Sequence, residues 1–116
     1  MRRAAFALVA AALVAGCGGS SGGGKGAPPG EQRAATLTCL KEEDIPAREV
    51  ERGAIEVRGP RGPRIEFLGS TSAAEQQQFS GKAQTAEQIE NALLFVRTAS
   101  DEELEKIENC VADSVS

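Results

Sequence analysis

An apolar run and a glycine-rich stretch leave only about 80 of the 116 residues for a folded domain. The apolar run covers the 11 residues from Ala4 to Val14, which is too short to span a bilayer. Residues 17–35 are rich in Gly, Ser and Pro and cannot build a core, so we expect a flexible linker there. The remaining segment, 36–116, has a size at which a single small domain is marginally stable without a covalent staple.

The end of the apolar run carries a processing motif. Val14-Ala15-Gly16-Cys17 begins at the last residue of the run, and Arg2-Arg3 precedes the run as a basic n-region. This layout resembles the signal peptide and lipobox of bacterial lipoproteins. The resemblance implies a signal peptide over residues 1–16 and a lipid with palmitate-type chains on Cys17. An ordinary cleaved signal with an incidental Cys17 is the alternative.

The resemblance also implies a location. A lipid on Cys17 would hold the chain at the cell membrane, on its extracytoplasmic face. Both the general secretory route and the twin-arginine route fit the basic n-region, and either an inner or an outer membrane is compatible with the motif. The membrane, contacted through this lipid, is therefore the first partner that the sequence predicts.

With Cys17 lipidated, two of the three cysteines remain, Cys39 and Cys110. An even pair in a small exported domain is most simply a disulfide. A redox pair or a metal site is the alternative. Neither cysteine lies in a C-x-x-C motif, however, and the chain has no His to complete a common zinc site.

Three segments have strand patterns. Residues 54–58 and 64–67 alternate apolar and charged side chains, as half-buried strands do. The turn residues 59–63 between them, Gly-Pro-Arg-Gly-Pro, predict a hairpin. Residues 92–97 form the most apolar run of the domain, and we expect a central strand that is buried on both faces.

Charge limits the register of the predicted hairpin. Pairing Val57 with Ile65 would place two glutamates opposite each other and two arginines opposite each other, which is unfavourable. A shift of two residues that brings Arg58 beside Glu66 avoids both like-charge pairs. We therefore expect the shifted register.

Helical patterns occupy much of the remaining domain. Residues 36–43, 73–81 and 101–113 are predicted as helices, and residues 85–91 as a further short helical turn with Ile89 inward. Ser72 with Glu75 and Ser100 with Glu103 fit capping boxes at the starts of the second and third helices.

The order of these elements predicts an α+β fold. We expect a small, three- to four-stranded, mainly antiparallel sheet with two to three helices packed on it, closed by one disulfide. The domain organisation is then a signal peptide (1–16), an anchored linker (17–35) and one domain (36–116).

Composition narrows the function. The 17 acidic residues outnumber the 13 basic ones, which disfavours nucleic acid as a partner. The absence of His removes the commonest general base and metal ligand, and no Gly-rich loop opens a helix after a strand. We therefore expect no catalytic residues, no cofactor and no metal.

Three arginines at steps of three, Arg58, Arg61 and Arg64, surround the predicted hairpin turn. Arg binds phosphate and carboxylate groups through paired hydrogen bonds, so this arginine tip is a candidate contact for an anionic partner. A solvated turn without a partner is the alternative.

Together these features predict a membrane-anchored envelope lipoprotein whose domain is a non-catalytic binding module. Its partner would be a protein or a cell-wall polymer, held by one face of the sheet or by the arginine tip. The alternatives are a small cell-surface enzyme or enzyme inhibitor, and a structural subunit of an envelope complex.

Overall fold

The computed structural model describes residues 27–116, which form three α-helices and a five-stranded antiparallel sheet. The helices are α1 (Pro29–Glu42), α2 (Thr71–Phe79) and α3 (Asp101–Val115). The strands are β1 (Ala47–Glu49), β2 (Ile55–Val57), β3 (Arg64–Phe67), β4 (Ala86–Ile89) and β5 (Ala92–Phe95), in the spatial order β1-β2-β3-β5-β4. The predictions for the signal peptide, Cys17 and the linker up to residue 26 lie outside the described residues.

The predicted α+β class is confirmed, but the sheet has five strands instead of three or four. The helical turn expected for residues 85–91 is wrong, because this segment forms β4 and the turn to β5. That turn is Glu90-Asn91, with Glu90 in the left-handed region at φ 55°. A two-residue hairpin turn is usually signalled by Asn-Gly or Asp-Gly, which this sequence lacks.

Strand β1 is the second strand that the sequence pattern did not predict. Its residues pair with β2, with Arg48 opposite Glu56. Ile45 is buried and Ala47 is half-buried, whereas Pro46 and Arg48 between and after them are exposed. This alternation is the period of a strand, but it covers too few residues to stand out in the sequence.

The register of the β2–β3 hairpin differs from the expected one. Glu56 lies opposite Arg64, and Ile55 lies opposite Ile65. The structure thus avoids like-charge pairs, as expected, but it shifts in the other direction from the one that brings Arg58 beside Glu66. In the turn, Gly62 has no room for a side chain, because a Cβ there would collide with the carbonyl oxygen of Val57.

Strand β5 contributes to two apolar layers, because adjacent side chains on a strand point to opposite faces. Leu94 faces the main core, which lies between the sheet and helices α1 and α3. Leu93 faces a smaller cluster with Ala74 of α2 on the opposite side of the sheet. Burial on both faces is therefore confirmed for this strand, although β3 is the middle strand of the five.

The disulfide predicted between Cys39 and Cys110 is confirmed and links α1 to α3, with 5.6 Å between the two Cα atoms. A polar contact lies in the same helix pair: Thr36 Oγ1 donates to Ser114 Oγ at 2.9 Å, in a fully buried position. The last helix of the fold is thus held to the first by a covalent bond and by a buried hydrogen bond.

Helix α1 begins at Pro29, seven residues before the predicted start at residue 36, so the end of the predicted linker is helical. Pro is favoured in the first turn of a helix, where a missing N–H costs little. Gln32 then becomes a buried residue, and it exchanges two hydrogen bonds with the side-chain amide of Asn91 at 2.8 and 3.2 Å.

The starts of α2 and α3 are capped by serine side chains. In α2 the cap is Ser70, which accepts from the N–H of Ala73, so the predicted capping box of Ser72 and Glu75 is wrong. Phe79, the last residue of α2, is 86% exposed. The predicted cap of α3 at Ser100 is confirmed.

Candidate functional site

The free side of strand β1 presents unpaired main-chain groups. Two hydrogen bonds flank the β1–β2 ladder: Arg58 N–H to Pro46 O at 2.9 Å, and Val50 N–H to Ala54 O at 2.7 Å. Because bonded and non-bonded pairs alternate in an antiparallel ladder, Arg48 directs its N–H and C=O toward β2. Ala47 and Glu49 therefore direct theirs away from the sheet, and no other strand of residues 27–116 pairs with them.

A row of charged side chains crosses the sheet face opposite the main core. We call it the charge ladder, and it consists of Arg48, Glu56, Arg64 and Glu66. The Glu56 carboxylate lies 3.7 Å from a guanidinium nitrogen of Arg48 and 3.6 Å from one of Arg64. Arg64 Nε also donates to Glu66 at 2.9 Å. The alternating apolar and charged residues of β2 and β3 place Glu56, Arg64 and Glu66 on this one face, and the pairing of Arg48 with Glu56 places Arg48 there as well.

Helix α2 covers only the other half of this face. Its buried residue Ala74 packs with Leu93 of β5 and Ala86 of β4, so the apolar half of the face is closed. Neither of the two apolar clusters found among residues 27–116 includes a member of the charge ladder. The sheet thus has an apolar half under α2 and a charged half on which Arg48 is exposed and Glu56 and Arg64 are half-buried.

Three depressions surround the open edge, and Arg48 lines all of them. The one we call the edge groove has a volume of about 500 Å³ and runs between α1 and β1. The other two, of about 360 and 510 Å³, lie over the charge ladder. The edge groove is lined by Leu37, Lys41, Asp44, Ile45, Pro46, Ala47 and Arg48.

The arginines of the predicted tip are mostly engaged within the fold. Arg58 Nε donates to Glu103 of α3 at 2.6 Å, and Arg64 belongs to the charge ladder. Arg61 is exposed at the turn, and no ion pair forms at its side chain among residues 27–116. The structure therefore does not bring the three arginines together as one free cationic cluster, and an anionic contact at this tip stays a prediction.

One carboxyl group has a strongly shifted pKa. Contact with Glu108 of α3 raises the pKa of Glu87 on β4 from 4.5 to about 7, through a hydrogen bond between the two side chains, partial burial and charge repulsion. Such a shift can mark a catalytic acid when it occurs in a cleft. Glu87 is exposed, however, and lines none of the three depressions.

Sequence reasoning missed Arg48, the residue that the charge ladder and all three depressions share. Its signal was the alternation of Ile45 and Ala47 with Pro46 and Arg48, which points to a short strand. Its pairing with Glu56 depends on the register between β1 and β2, which only the assembled sheet defines.

The chain matches no protein-family model, and the searches of curated proteins and of solved structures found no match to it. Within residues 27–116, no helix has the length and hydrophobicity to cross a membrane, and no group of three or more Cys, Asp and Glu residues is arranged to hold a metal ion.

Proposed function

We propose that this chain is a lipid-anchored, non-catalytic binding module at the extracytoplasmic face of a bacterial cell membrane. The β1 side of the sheet carries the binding role in this proposal. The supporting observation is that the main-chain groups of Ala47 and Glu49 point outward beside three solvent-filled depressions, all lined by Arg48.

Two features support the location. Cys17 follows small residues at the end of a short apolar run, as in the lipobox of bacterial lipoproteins. Disulfides such as Cys39–Cys110 persist in oxidising compartments outside the cytoplasm. The two features are independent, since one depends on the leader and the other on the packing of α1 against α3.

The partner in this proposal is a protein or a cell-wall polymer. The formal net charge of −4 gives no general attraction to nucleic acid or to other polyanions. Arg48 and the unpaired edge of β1 instead offer a local, directional contact. The arginine tip would add Arg61 as a second contact for an anionic polymer.

The location is tested by labelling cells that express the full chain with a fatty acid, followed by intact-mass analysis and thiol titration. We expect label on the wild-type chain, none on the Cys17→Ser variant, and no free thiol at Cys39 or Cys110. An unmodified Cys17, or free thiols at Cys39 and Cys110 in freshly isolated protein, would contradict the proposed location.

The binding role is tested by mild cross-linking in intact cells and purification of the detergent-solubilised chain. We expect a partner to co-purify, and we expect the Arg61→Gln variant to retain a protein partner. Recovery of the chain alone, with and without cross-linking, would refute the binding role. Loss of the partner in Arg61→Gln would show that the contact is at the arginine tip and not at β1.

A further inference from the structure

We propose that the β1 edge binds an extended, acidic segment of a partner protein, which adds to the sheet as a sixth strand and places a carboxylate opposite Arg48. This inference rests on the proposed binding function and names the class of partner and the mode of recognition. It depends on three properties of the edge: its main-chain groups, the shape of its groove and the charge of Arg48.

The main chain of β1 has the spacing that strand addition requires. Ala47 and Glu49 stand two residues apart, which is the repeat at which one side of a strand presents N–H and C=O groups. In β-strand addition, such groups give affinity through the main chain of the incoming peptide, and alternate side chains give specificity. Ala47 and Glu49 therefore offer hydrogen-bonding positions to a new strand.

The edge groove receives the side chains that an added strand directs toward α1. Leu37 and Ile45 form an apolar wall beside Ala47, and Lys41 lies at the same groove. On the β1 side, Glu49 is already held by Arg33 of α1, whose Nε lies 2.9 Å from its carboxylate. An apolar partner side chain next to Ala47 would consequently bury Leu37 without displacing an ion pair.

The sheet face opposite the main core, where Arg48 lies, determines which charge is favoured on the partner segment. The side chain of Arg48 is 69% exposed, and its nearest carboxylate, on Glu56 at 3.7 Å, is shared with Arg64 at 3.6 Å. A partner residue opposite Arg48 has its side chain on this same face. A carboxylate there would be a second ion-pair partner for Arg48, besides Glu56, whereas a cation would face a guanidinium directly.

The same geometry disfavours a second copy of this chain as the occupant. Antiparallel pairing that uses the whole of β1 from two copies would place Arg48 opposite Arg48, a like-charge pair at the closest cross-strand distance. The strand is also only three residues long, so a homodimer would gain few additional bonds. An acidic segment from another protein meets neither obstacle.

Synthetic peptides test the proposal on the full-length chain with its disulfide intact. The probe is acetyl-Thr-Ile-Glu-Val-Thr-amide, and the comparison peptide has Lys in place of Glu. NMR titration should show saturable shifts at the amides of Ala47 and Glu49 with the acidic peptide, at concentrations up to about 1 mM. Arg48→Glu should weaken this binding about tenfold and favour the Lys peptide.

Two further variants separate main-chain from charge effects. Ala47→Pro removes an outward N–H group but no hydrogen bond to β2. It should weaken binding of the acidic peptide, and thermal denaturation should show that the variant is still folded at the temperature of the titration. N-methylation of the peptide main chain tests the same bonds with the wild-type fold. Lys82→Glu, the same change of sign at the far end of α2, is the matched control and should bind like wild type.

Three outcomes would overturn the proposal. The first is the absence of amide shifts with either peptide, and the second is equal binding of the acidic peptide by Arg48→Glu and wild type. The third is a concentration-dependent dimer that protects the amides of Ala47 and Glu49. A partner that co-purifies from cells but binds Arg48→Glu and Lys82→Glu equally would refute strand addition and leave the proposed binding function standing. Loss of the partner in Arg48→Glu alone would support both.

Discussion

At the β4 edge of the sheet, the outward main-chain groups of Ala86 are bonded within the fold, whereas those of Ala47 and Glu49 at the β1 edge have no strand partner among residues 27–116. The carbonyl of Ala86 accepts from Gln78 Nε2 of α2 at 2.7 Å, and its N–H donates to the carbonyl of Ala83 at 3.1 Å. Natural proteins commonly cover or shorten exposed strand edges to prevent unwanted pairing. This domain bonds the β4 edge at Ala86, partly through helix α2, and leaves the β1 edge short and charged.

The contrast indicates where binding can occur without cost to the fold. A strand that added at β4 would have to displace Gln78, while one that added at β1 would replace only water. The two halves of this sheet face also differ, since α2 covers the apolar half, whereas Arg48 at the β1 end of the charge ladder is 69% exposed. The proposed binding at β1 would therefore leave the half of the sheet under α2 unchanged.

The largest expected effect concerns the disulfide, which links the helix that packs against β1 to the helix that contacts β4. Cys39 lies on α1, which packs against β1, and Cys110 lies on α3, which contacts β4 and β5. Replacing both cysteines by Ser opens a loop of 71 residues and should lower the free energy of unfolding by about 4 kcal/mol on the chain-entropy model. Chemical denaturation of the oxidised chain and of the double variant measures this difference.

Hydrogen exchange on the same double variant sharpens the comparison. Strand β1 packs mainly against α1 and β2, so loosening α1 should increase exchange at Arg48 more than at Glu87 of β4. Equal increases at the two strands would show that the disulfide stabilises the whole domain uniformly. An unfolding free energy unchanged within about 1 kcal/mol would show that it contributes little beyond the packing of α1 on α3.

The difference between the edges also explains which elements could be predicted from the sequence. Strands β2, β3 and β5 and helix α3 have strong local patterns, and all four lie close to the expected positions. The edge strands do not. Residues 47–49 are too few to show a clear period, and residues 85–91 are mostly polar, so β4 depends on its hairpin with β5 and not on its own pattern.

The register of the β2–β3 hairpin shows why the site itself was not predictable. Two shifts avoid the like-charge pairs, and charge considered on two strands does not distinguish them. The observed register places Glu56 between Arg64 and Arg48, which requires the third strand, β1. The candidate site therefore depends on contacts among three strands, which the sequence of the hairpin alone does not predict.

Removing the cover of the β4 edge should have an intermediate effect. Gln78→Ala deprives the carbonyl of Ala86 of its side-chain donor, and we expect a loss of about 1 kcal/mol in the free energy of unfolding. Exchange at the β4 amides should rise as well. Gln76→Ala, an exposed change on the same helix, is the matched control and should be nearly neutral. If both variants lose equally, the contact to Ala86 does not close the edge.

The smallest expected effect is pH-dependent and lies beside the closed edge. The contact with Glu108 raises the pKa of Glu87 to about 7 in the folded chain, above the ordinary value of 4.5. A raised pKa means that the folded state binds the proton more tightly, so this contribution to stability is complete below pH 4.5 and is lost as the pH rises through 7. Because Glu87 is exposed, solvent screening should keep the effect below about 1 kcal/mol.

Glu87→Gln keeps the shape of the side chain and removes the titration. The variant should therefore gain stability relative to wild type at pH 8 and show little difference at pH 4, measured by denaturant unfolding at both values. Glu105→Gln, an exposed change on α3, serves as the control for the general effect of one charge fewer. Parallel pH profiles for wild type and Glu87→Gln would mean that the two carboxyl groups do not share a proton. In that case the bonds of Ala86 to Gln78 and Ala83 would hold the β4 edge, without a pH-dependent contact to α3.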